Sequence, residues 1–410
     1  MAGRVAIAIA LVVVGSLLDV PIAIVLGVVV LLLDVVHAAW ARQGLDGIHY
    51  TRRLGARRTP FGEPVELDVE AWNHRRLPLA WLRADDEASP GLEVRERDLE
   101  DGEEPGTSVL RNAWTLRPWE RVRRRFHVFA EQRGVFTLGP VDLAVGDPFA
   151  RRVAEERRGA TDSFVVWPRT IPATELEPPD RWGDLERARG GLAEDPARFA
   201  GVRPYAPGDP LRRIHARASA RTGAPVTKRF EPSRDREVLI ALDVQVAEGP
   251  LWDSGWGDDD VEQLYVVAAS IARSLALRRV AFGIVAAGYA GAETMIASVP
   301  VSSAPGQAER VLDLLARLSG HASMPFERLL TGAARTVRPG TTVLVLTMRD
   351  PRPFVTALRR LELAGGDVVL VAAGRQAARD AARARQAGIP ARRATLDGHW
   401  RTAERLVIGR

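Results

Sequence analysis

The chain has 410 residues, 46% of them hydrophobic, 27% charged and 6% aromatic, and carries a formal net charge of +5. That length exceeds what one core sustains, so two or three folded units are expected, and the composition excludes a wholly disordered chain. Cysteine is absent, which excludes disulfides, iron–sulfur clusters, thiolate zinc sites and cysteine nucleophiles together. Among the 57 basic residues only Lys228 is a lysine, which fits a GC-rich genome. The charge is modest for the length, so without a local basic patch no nucleic-acid partner is expected.

Residues 5–18 and 22–33 are apolar runs separated by Asp19-Val20-Pro21. One helix over both would be about 43 Å long, against a hydrocarbon core of about 30 Å. Proline breaks the helical ladder and its predecessor avoids the α region, so two helices turning at Asp19–Pro21 fit better. Residues 1–41 are therefore expected to form a transmembrane helical hairpin. Arg4 and the arginines at 42, 52, 53, 57 and 58 flank the outer ends, and the positive-inside rule puts both on the cytoplasmic face of the bacterial inner (plasma) membrane.

Residues 42–152 read as an all-β sandwich-like domain. Strands are expected at 65–72, 79–84, 109–116, 122–130 and 134–145, with alternation clearest in Val65-Glu66-Leu67-Asp68-Val69. Residues 153–236 connect this domain to residues 237–410, where strands at 238–244, 280–286, 294–299, 342–347 and 367–372 alternate with helices at 261–278, 307–318, 353–363 and 376–386. That alternation implies βαβ units and a Rossmann-like, largely parallel sheet. The continuous apolar run Val343-Leu344-Val345-Leu346 marks its buried central strand.

Within the connecting region lies Phe199-Ala200-Gly201-Val202-Arg203-Pro204-Tyr205-Ala206-Pro207-Gly208-Asp209-Pro210-Leu211-Arg212-Arg213-Ile214-His215, continuing through Arg217 and Arg221 to Gly223. Asp209 suits an N-cap, Pro210 the first helical position and Gly223 the residue after the last turn, so a helix is expected over 210–222. Leu211, Ile214, His215 and Ala218 recur at helical spacing and give a packing face. Arg213, Arg217 and Arg221 form a stripe suited to an anion or an acidic partner. The alternative is that these guanidiniums pair with carboxylates of the same chain. His215, with no second ligand nearby, is expected to pack or hydrogen-bond.

Here the chain resembles the domain of unknown function 58 family, bacterial proteins associated with MoxR-type AAA+ ATPases. The resemblance rests on that run, with Arg203, Tyr205, Gly208, Asp209, Arg212, Arg213, His215, Arg217 and Arg221 as its candidate contact residues. It also rests on Arg133-Gly134-Val135-Phe136-Thr137-Leu138-Gly139-Pro140, on Gly146-Asp147-Pro148-Phe149, on Val166-Trp167-Pro168 and on Leu242-Asp243. Family members carry a tryptophan after the Ile-His pair, where this chain has Ala216. The resemblance implies that the last domain is similar to a von Willebrand factor type A domain. Such domains hold a divalent cation with an Asp-x-Ser-x-Ser loop, a distant threonine and a further aspartate.

In this chain the loop reads Asp243-Val244-Gln245-Val246-Ala247, without either serine. Asp243, Thr347 and Asp350 are the remaining candidate ligands, and a hard cation needs more oxygens than that. The expectation is a vestigial site, with Mg²⁺ or Ca²⁺ as the alternative. No Gly-x-Ser-x-Gly elbow, phosphate loop or His-Glu-x-x-His helix occurs, so no enzyme is expected. The function expected is a membrane-anchored adaptor or scaffold working with a MoxR-type ATPase on client complexes. The alternative is cation-dependent protein binding through the degenerate site.

Overall fold

The computed structural model describes residues 2–102, 106–146, 152–174, 194–206, 209, 213–232, 237–246, 259–290 and 295–409. The chain divides into two compact units, Met1–Val166 and Trp167–Arg410. The described residues are organised chiefly by four β-sheets.

The first unit begins with helices α1 (Ala2–Leu17) and α2 (Pro21–Gln43). Asp19 takes the left-handed conformation, φ 57°, in the turn between them, and Gly15 and Gly27 let the two backbones approach where a Cβ would collide with the partner helix. The expected membrane crossing is overturned. α1 has 16 residues and so spans only about 24 Å, the apolar stretch of α2 stops at Asp34, and among the described residues no helix is long and apolar enough to cross a membrane. The turn that splits the apolar run is the physical reason, since it shortens the first arm. The inner-membrane placement, with the remaining domains cytoplasmic, is withdrawn with the crossing.

The rest of this unit is β1 (Ile48–Leu54), β2 (Arg58–Thr59), β3 (Val65–Asn73), β4 (Leu79–Ala88), β5 (Leu92–Val94), β6 (Glu100–Asp101), β7 (Ser108–Leu116), β8 (Arg121–Ala130), β9 (Gly134–Gly146), β10 (Arg152–Arg158) and β11 (Asp162–Val166). One sheet runs β1-β3-β8-β5; the other runs β2-β11-β9-β4-β7-β6, with β10 on β9. Alternation builds the core: Val65, Leu67, Val69 and Ala71 of β3 are buried with Phe126 and Val128 of β8 and Leu82, Leu138 and Leu143 from the other sheet. Polar side chains are buried here too, Asn73, Asn112 and Asp86 most completely. The Asp86 carboxylate is buried and accepts from the Tyr50 hydroxyl and, at 2.5 Å, from Arg52. Burial pushes both the Asp86 carboxyl and the Tyr50 hydroxyl above their ordinary values.

The second unit comprises β12 (Ala173–Thr174), β13 (Glu194–Pro204), α3 (Ala216–Thr222), β14 (Val226–Pro232), β15 (Glu237–Leu242), α4 (Asp259–Leu277), β16 (Ala281–Ala286), β17 (Ala297–Ser302), α5 (Gln307–Arg317), α6 (Phe326–Ala333), β18 (Thr342–Thr347), α7 (Val355–Leu363), β19 (Asp367–Ala372), α8 (Ala377–Gln386), β20 (Ala391–Leu396) and β21 (Leu406–Gly409). Its main sheet has the order β12-β21-β20-β19-β18-β15-β16-β17. Every pairing from β20 across to β16 is parallel. All six residues of β18 are buried, as a strand covered on both faces requires. Helices α6, α7 and α8 share a core with Val343, Val345 and Leu370. From β15 the chain crosses through α4 to β16 on one side, then returns by α5 and α6 to β18 on the other. The crossover direction therefore reverses between β15 and β18, where doubly wound sheets open a crevice at their carboxyl edge.

In the first unit, Asp86→Ala leaves the Arg52 guanidinium, whose side chain is 3% exposed, without its buried partner. The expected loss is on the order of 3 kcal/mol, read as a lower urea midpoint at unchanged slope. A midpoint equal to that of the parent chain would show that the pair contributes nothing to stability.

Candidate functional site

Asp243 follows β15 directly and Thr347 ends β18. Their backbones are tied by the Asp243 N–H donating to Leu346 O at 2.9 Å. Asp243 is 1% exposed and Thr347 fully buried. Thr347 Oγ1 donates to Asp243 Oδ2 at 2.8 Å and accepts from the Arg349 N–H at 3.0 Å. The Arg349 guanidinium closes on the same carboxylate, Nε to Oδ2 at 2.9 Å and a terminal N–H to Oδ1 at 3.2 Å. This is the two-pronged geometry in which arginine holds a carboxylate most strongly. Burial pushes the Asp243 carboxyl up to about 6, against the charge of Arg349, the hydrogen bonds from Arg349 and Thr347, and the Gln245 N–H. At neutral pH it stays ionised and paired.

Asp350 does not join this group. Its carboxylate accepts from Arg352 Nε at 2.8 Å, from the Arg352 N–H at 3.1 Å and from Arg383 at 2.7 Å. Burial pushes its pKa up, but the hydrogen bonds from Arg352 and the charges of Arg352 and Arg383 outweigh that and hold it below the ordinary value. The sequence thus brings Asp243 and Thr347 together and leaves Asp350 in a separate ion pair. A divalent cation does not fit these residues. Both Asp243 oxygens are engaged by hydrogen-bond donors, Gln245 replaces one loop serine, and among the described residues no three carboxylate or imidazole groups are grouped to hold a metal ion. Ala247 and Asp258 lie outside the described residues.

A cleft of roughly 1030 Å³ opens over this pair at the carboxyl edge of β15, β18 and β19. Arg349, Arg352, Arg375, Arg379 and Arg383 line it, with Asp260 and Asp350 as its acids. No serine, histidine, lysine or tyrosine lines it. Arg379 and Arg383 lie four residues apart on one face of α8, and Arg375 sits in the turn just before the helix. Sequence reading missed this comb, although the spacing and the Gly374-Arg375-Gln376 turn between β19 and α8 were visible in it.

The motif residues form a separate structure. β13 and β14 pair as a two-stranded antiparallel sheet with α3 between them. The helix starts later than expected, at Ala216, because His215 is its N-cap: His215 Nδ1 accepts the Ala218 N–H at 3.2 Å. Asp209 instead closes the turn before it, accepting from Arg203 at 2.6 Å, the Ala206 N–H at 3.0 Å and Thr227 Oγ1 at 3.3 Å. The Arg203 hydrogen bond and the Ala206 N–H hold its carboxyl below the ordinary range. Gly223 ends the helix in the left-handed conformation as expected, φ 67°. Tyr205 is half-buried and donates its N–H to Pro225 O at 3.0 Å. Arg213 is half-buried just before the helix, whereas Arg217 and Arg221 stand exposed on it. Gly208 and Arg212 lie outside the described residues. None of the motif residues lines the cleft.

The second unit is thus an α/β protein of the doubly wound type, with a guanidinium-bound carboxylate at its switch point. Residues 201–353 match the family described as protein of unknown function DUF58, a span that runs from the motif hairpin through β18 to just beyond Asp350. No curated protein matches the chain. Among solved structures, the CARDB domain of a Pyrococcus furiosus protein in complex with di-metal ions is 13% identical, with 29% of this chain and 91% of that one covered and a TM-score of 0.21. Trypsin-activated alpha-2-macroglobulin of Escherichia coli is 17% identical, with 29% of this chain and 7% of that one covered and a TM-score of 0.20. The Pseudomonas fluorescens alkylpurine DNA glycosylase AlkC, bound to DNA containing an abasic site analogue, is 14% identical, with 36% and 39% covered and a TM-score of 0.19. Likenesses this low decide nothing about fold or function.

The raised Asp243 pKa carries a pH signature. Below about pH 4 the carboxyl is protonated in both folded and unfolded chains. As pH rises from about 4 to about 6 the unfolded chain releases the proton and the folded chain keeps it, so stability falls by an amount on the order of 3 kcal/mol and then levels off. Urea unfolding of the parent chain and of Asp243→Asn at pH 4, 5, 6 and 7 isolates this component, which the variant lacks; parallel curves would show an ordinary carboxyl. Arg349→Ala strands the carboxylate at neutral pH and is expected to cost about 3–5 kcal/mol. Arg349→Lys restores only part, because a single ammonium does not reproduce the two-pronged contact, and full restoration in the same urea assay would refute that account.

Proposed function

We propose that this chain is a non-enzymatic recognition module, an adaptor, whose α/β unit presents its carboxyl edge as a binding face. The observation that carries the reading is the cleft lining: five arginines, two aspartates, and no serine, histidine, lysine or tyrosine. Guanidinium stays charged and holds ligands without transferring protons. Asp350 is committed to Arg352 and Arg383, and Asp243 below the cleft is committed to Arg349. A hydrolase or transferase site requires a nucleophile or an acid and base in mutual reach.

We read the unit as von Willebrand factor A-like, because its first long strand, β15, is central and delivers an aspartate to the switch point. In this reading Arg349 supplies, from within the chain, the positive charge that a metal ion provides in related domains. The partner we assign is a MoxR-type AAA+ ATPase acting on client complexes. That assignment is supported by the family resemblance of the motif run; the match over residues 201–353 supports the family alone. Exposed Arg217 and Arg221 on α3 give an acidic partner surface a second place to hold.

Capture of the tagged full chain from its own cells, followed by mass spectrometry, is expected to recover an AAA+ ATPase. Recovery is expected to fall when Arg217 and Arg221 are both replaced by glutamate. Repeated captures without any AAA+ ATPase would sink the assignment.

A further inference from the structure

We infer that the carboxyl-edge cleft of the α/β unit is a binding site for a phosphate-bearing small molecule, held by Arg379 and Arg383 of α8 and by Arg375 in the turn before it. The inference rests on the reading of this edge as a recognition face and names the chemistry it recognises.

The donors are in surplus. Asp350 accepts from Arg352 and Arg383, and Asp380, buried at 1% exposure, accepts from Arg379 Nε at 3.1 Å. A guanidinium carries five N–H donors, so Arg379 and Arg383 retain several beyond those bonds. Arg375 is exposed and makes no ion pair or hydrogen bond with a described residue. Among the described residues, even with Asp243, Asp260, Asp350 and Asp380 all counted, the five guanidiniums leave the cleft positive. What complements it is an anionic group rich in acceptors; a phosphoryl group offers several oxygens at once, and planar guanidiniums grip them in pairs.

The placement within the cleft also follows. α4 opens with Asp259, Asp260 and Glu262, which complement its dipole and repel an anion from that wall. At the opposite wall the N-cap of α8, Gln376, makes no side-chain cap bond, and the helix begins directly at the opening. Gly374 takes φ 80° there, a conformation that lets the chain turn sharply from β19 into α8. The dipole of α8 therefore adds to the comb. The location is the crevice in which doubly wound sheets receive their ligands. At roughly 1030 Å³ it has room for more than one phosphate and for the body of a small molecule.

Calorimetric titration of the purified full chain with inorganic pyrophosphate, orthophosphate and citrate tests this. Pyrophosphate is expected to bind saturably, more tightly than orthophosphate, and at least about tenfold more tightly than citrate. Arg375→Ala combined with Arg379→Ala is expected to weaken pyrophosphate at least about tenfold, with Arg375→Glu alone as a second variant that leaves the Arg379–Asp380 contact in place. Arg338→Ala, an exposed arginine paired with Glu237 and absent from the cleft lining, is expected to change nothing. Absence of saturable binding at millimolar pyrophosphate, equal affinity for citrate, or equal weakening by Arg338→Ala would overturn the site. The titration uses the isolated chain, so a null result there leaves the ATPase capture untouched, and a failed capture leaves the titration untouched.

Discussion

A carboxylate buried at the end of a central strand must be met by positive charge or give up its own, and the second unit is arranged around the first solution. Arg349 reaches Asp243 because β15 and β18 are direct neighbours in register, with Leu242 opposite Leu346. That register puts Asp243 beside Thr347 and brings the next loop over the top. The pair needs the buried, continuous apolar strand beneath it, since a strand displaced by one residue would turn Thr347 away from the carboxylate. In turn it fixes the floor of the cleft. Burial alone would neutralise Asp243 near physiological pH, and the guanidinium is what keeps a charge pair there.

The same solution recurs through the chain because arginine is almost its only cation. Asp86 is held by Arg52, Asp85 by Arg111, and Asp68 by both Arg123 and Arg125. Guanidinium suits these places: it stays ionised, spreads its charge and forks onto carboxylates. Where every guanidinium in such a group meets an acid, the arginines are structural. The cleft differs because Arg375, in the turn before α8, pairs with no acid among the described residues, and Arg379 and Arg383 follow on one face of the helix. A cluster whose donors exceed its internal acceptors is set up to bind, whereas a matched cluster is set up to hold.

Most of the fold was legible in the sequence because its strands sit in strong contexts. Val65-Glu66-Leu67-Asp68-Val69 alternates since β3 faces the core on one side only, and the apolar run of β18 reports burial on both sides. Boundaries failed where side chains decided them. Asp209 has every local feature of an N-cap, yet Arg203 and Thr227, from the two strands of the hairpin, claim its carboxylate, and His215 takes the capping role. The N-terminal runs misled for a different reason. Hydropathy registers how apolar a segment is, while crossing a bilayer also demands uninterrupted length, and the turn at Asp19 removes it from α1. Asp350 was grouped with Thr347 because both follow the same buried strand, but that position says nothing about which way each side chain leaves the loop, and Arg352 and Arg383 hold its carboxylate.

The two halves of the candidate site differ in where they sit relative to the family match. Residues 201–353 take in Asp243, Thr347, Arg349 and Asp350 but end before Gly374. The buried pair therefore belongs to the matched span and the comb of α8 does not. Physically the two are separable as well. The pair is enclosed, its partners are internal, and its loss is felt as stability. Arg375 is exposed and pairs with no described residue, so its loss is felt only when a ligand is present, whereas Arg379 also holds the buried Asp380. A protein can keep the first for its fold and vary the second for its ligand. On that division, the guanidinium beneath the cleft sets the architecture, and the spacing of arginines on α8 sets what the architecture recognises.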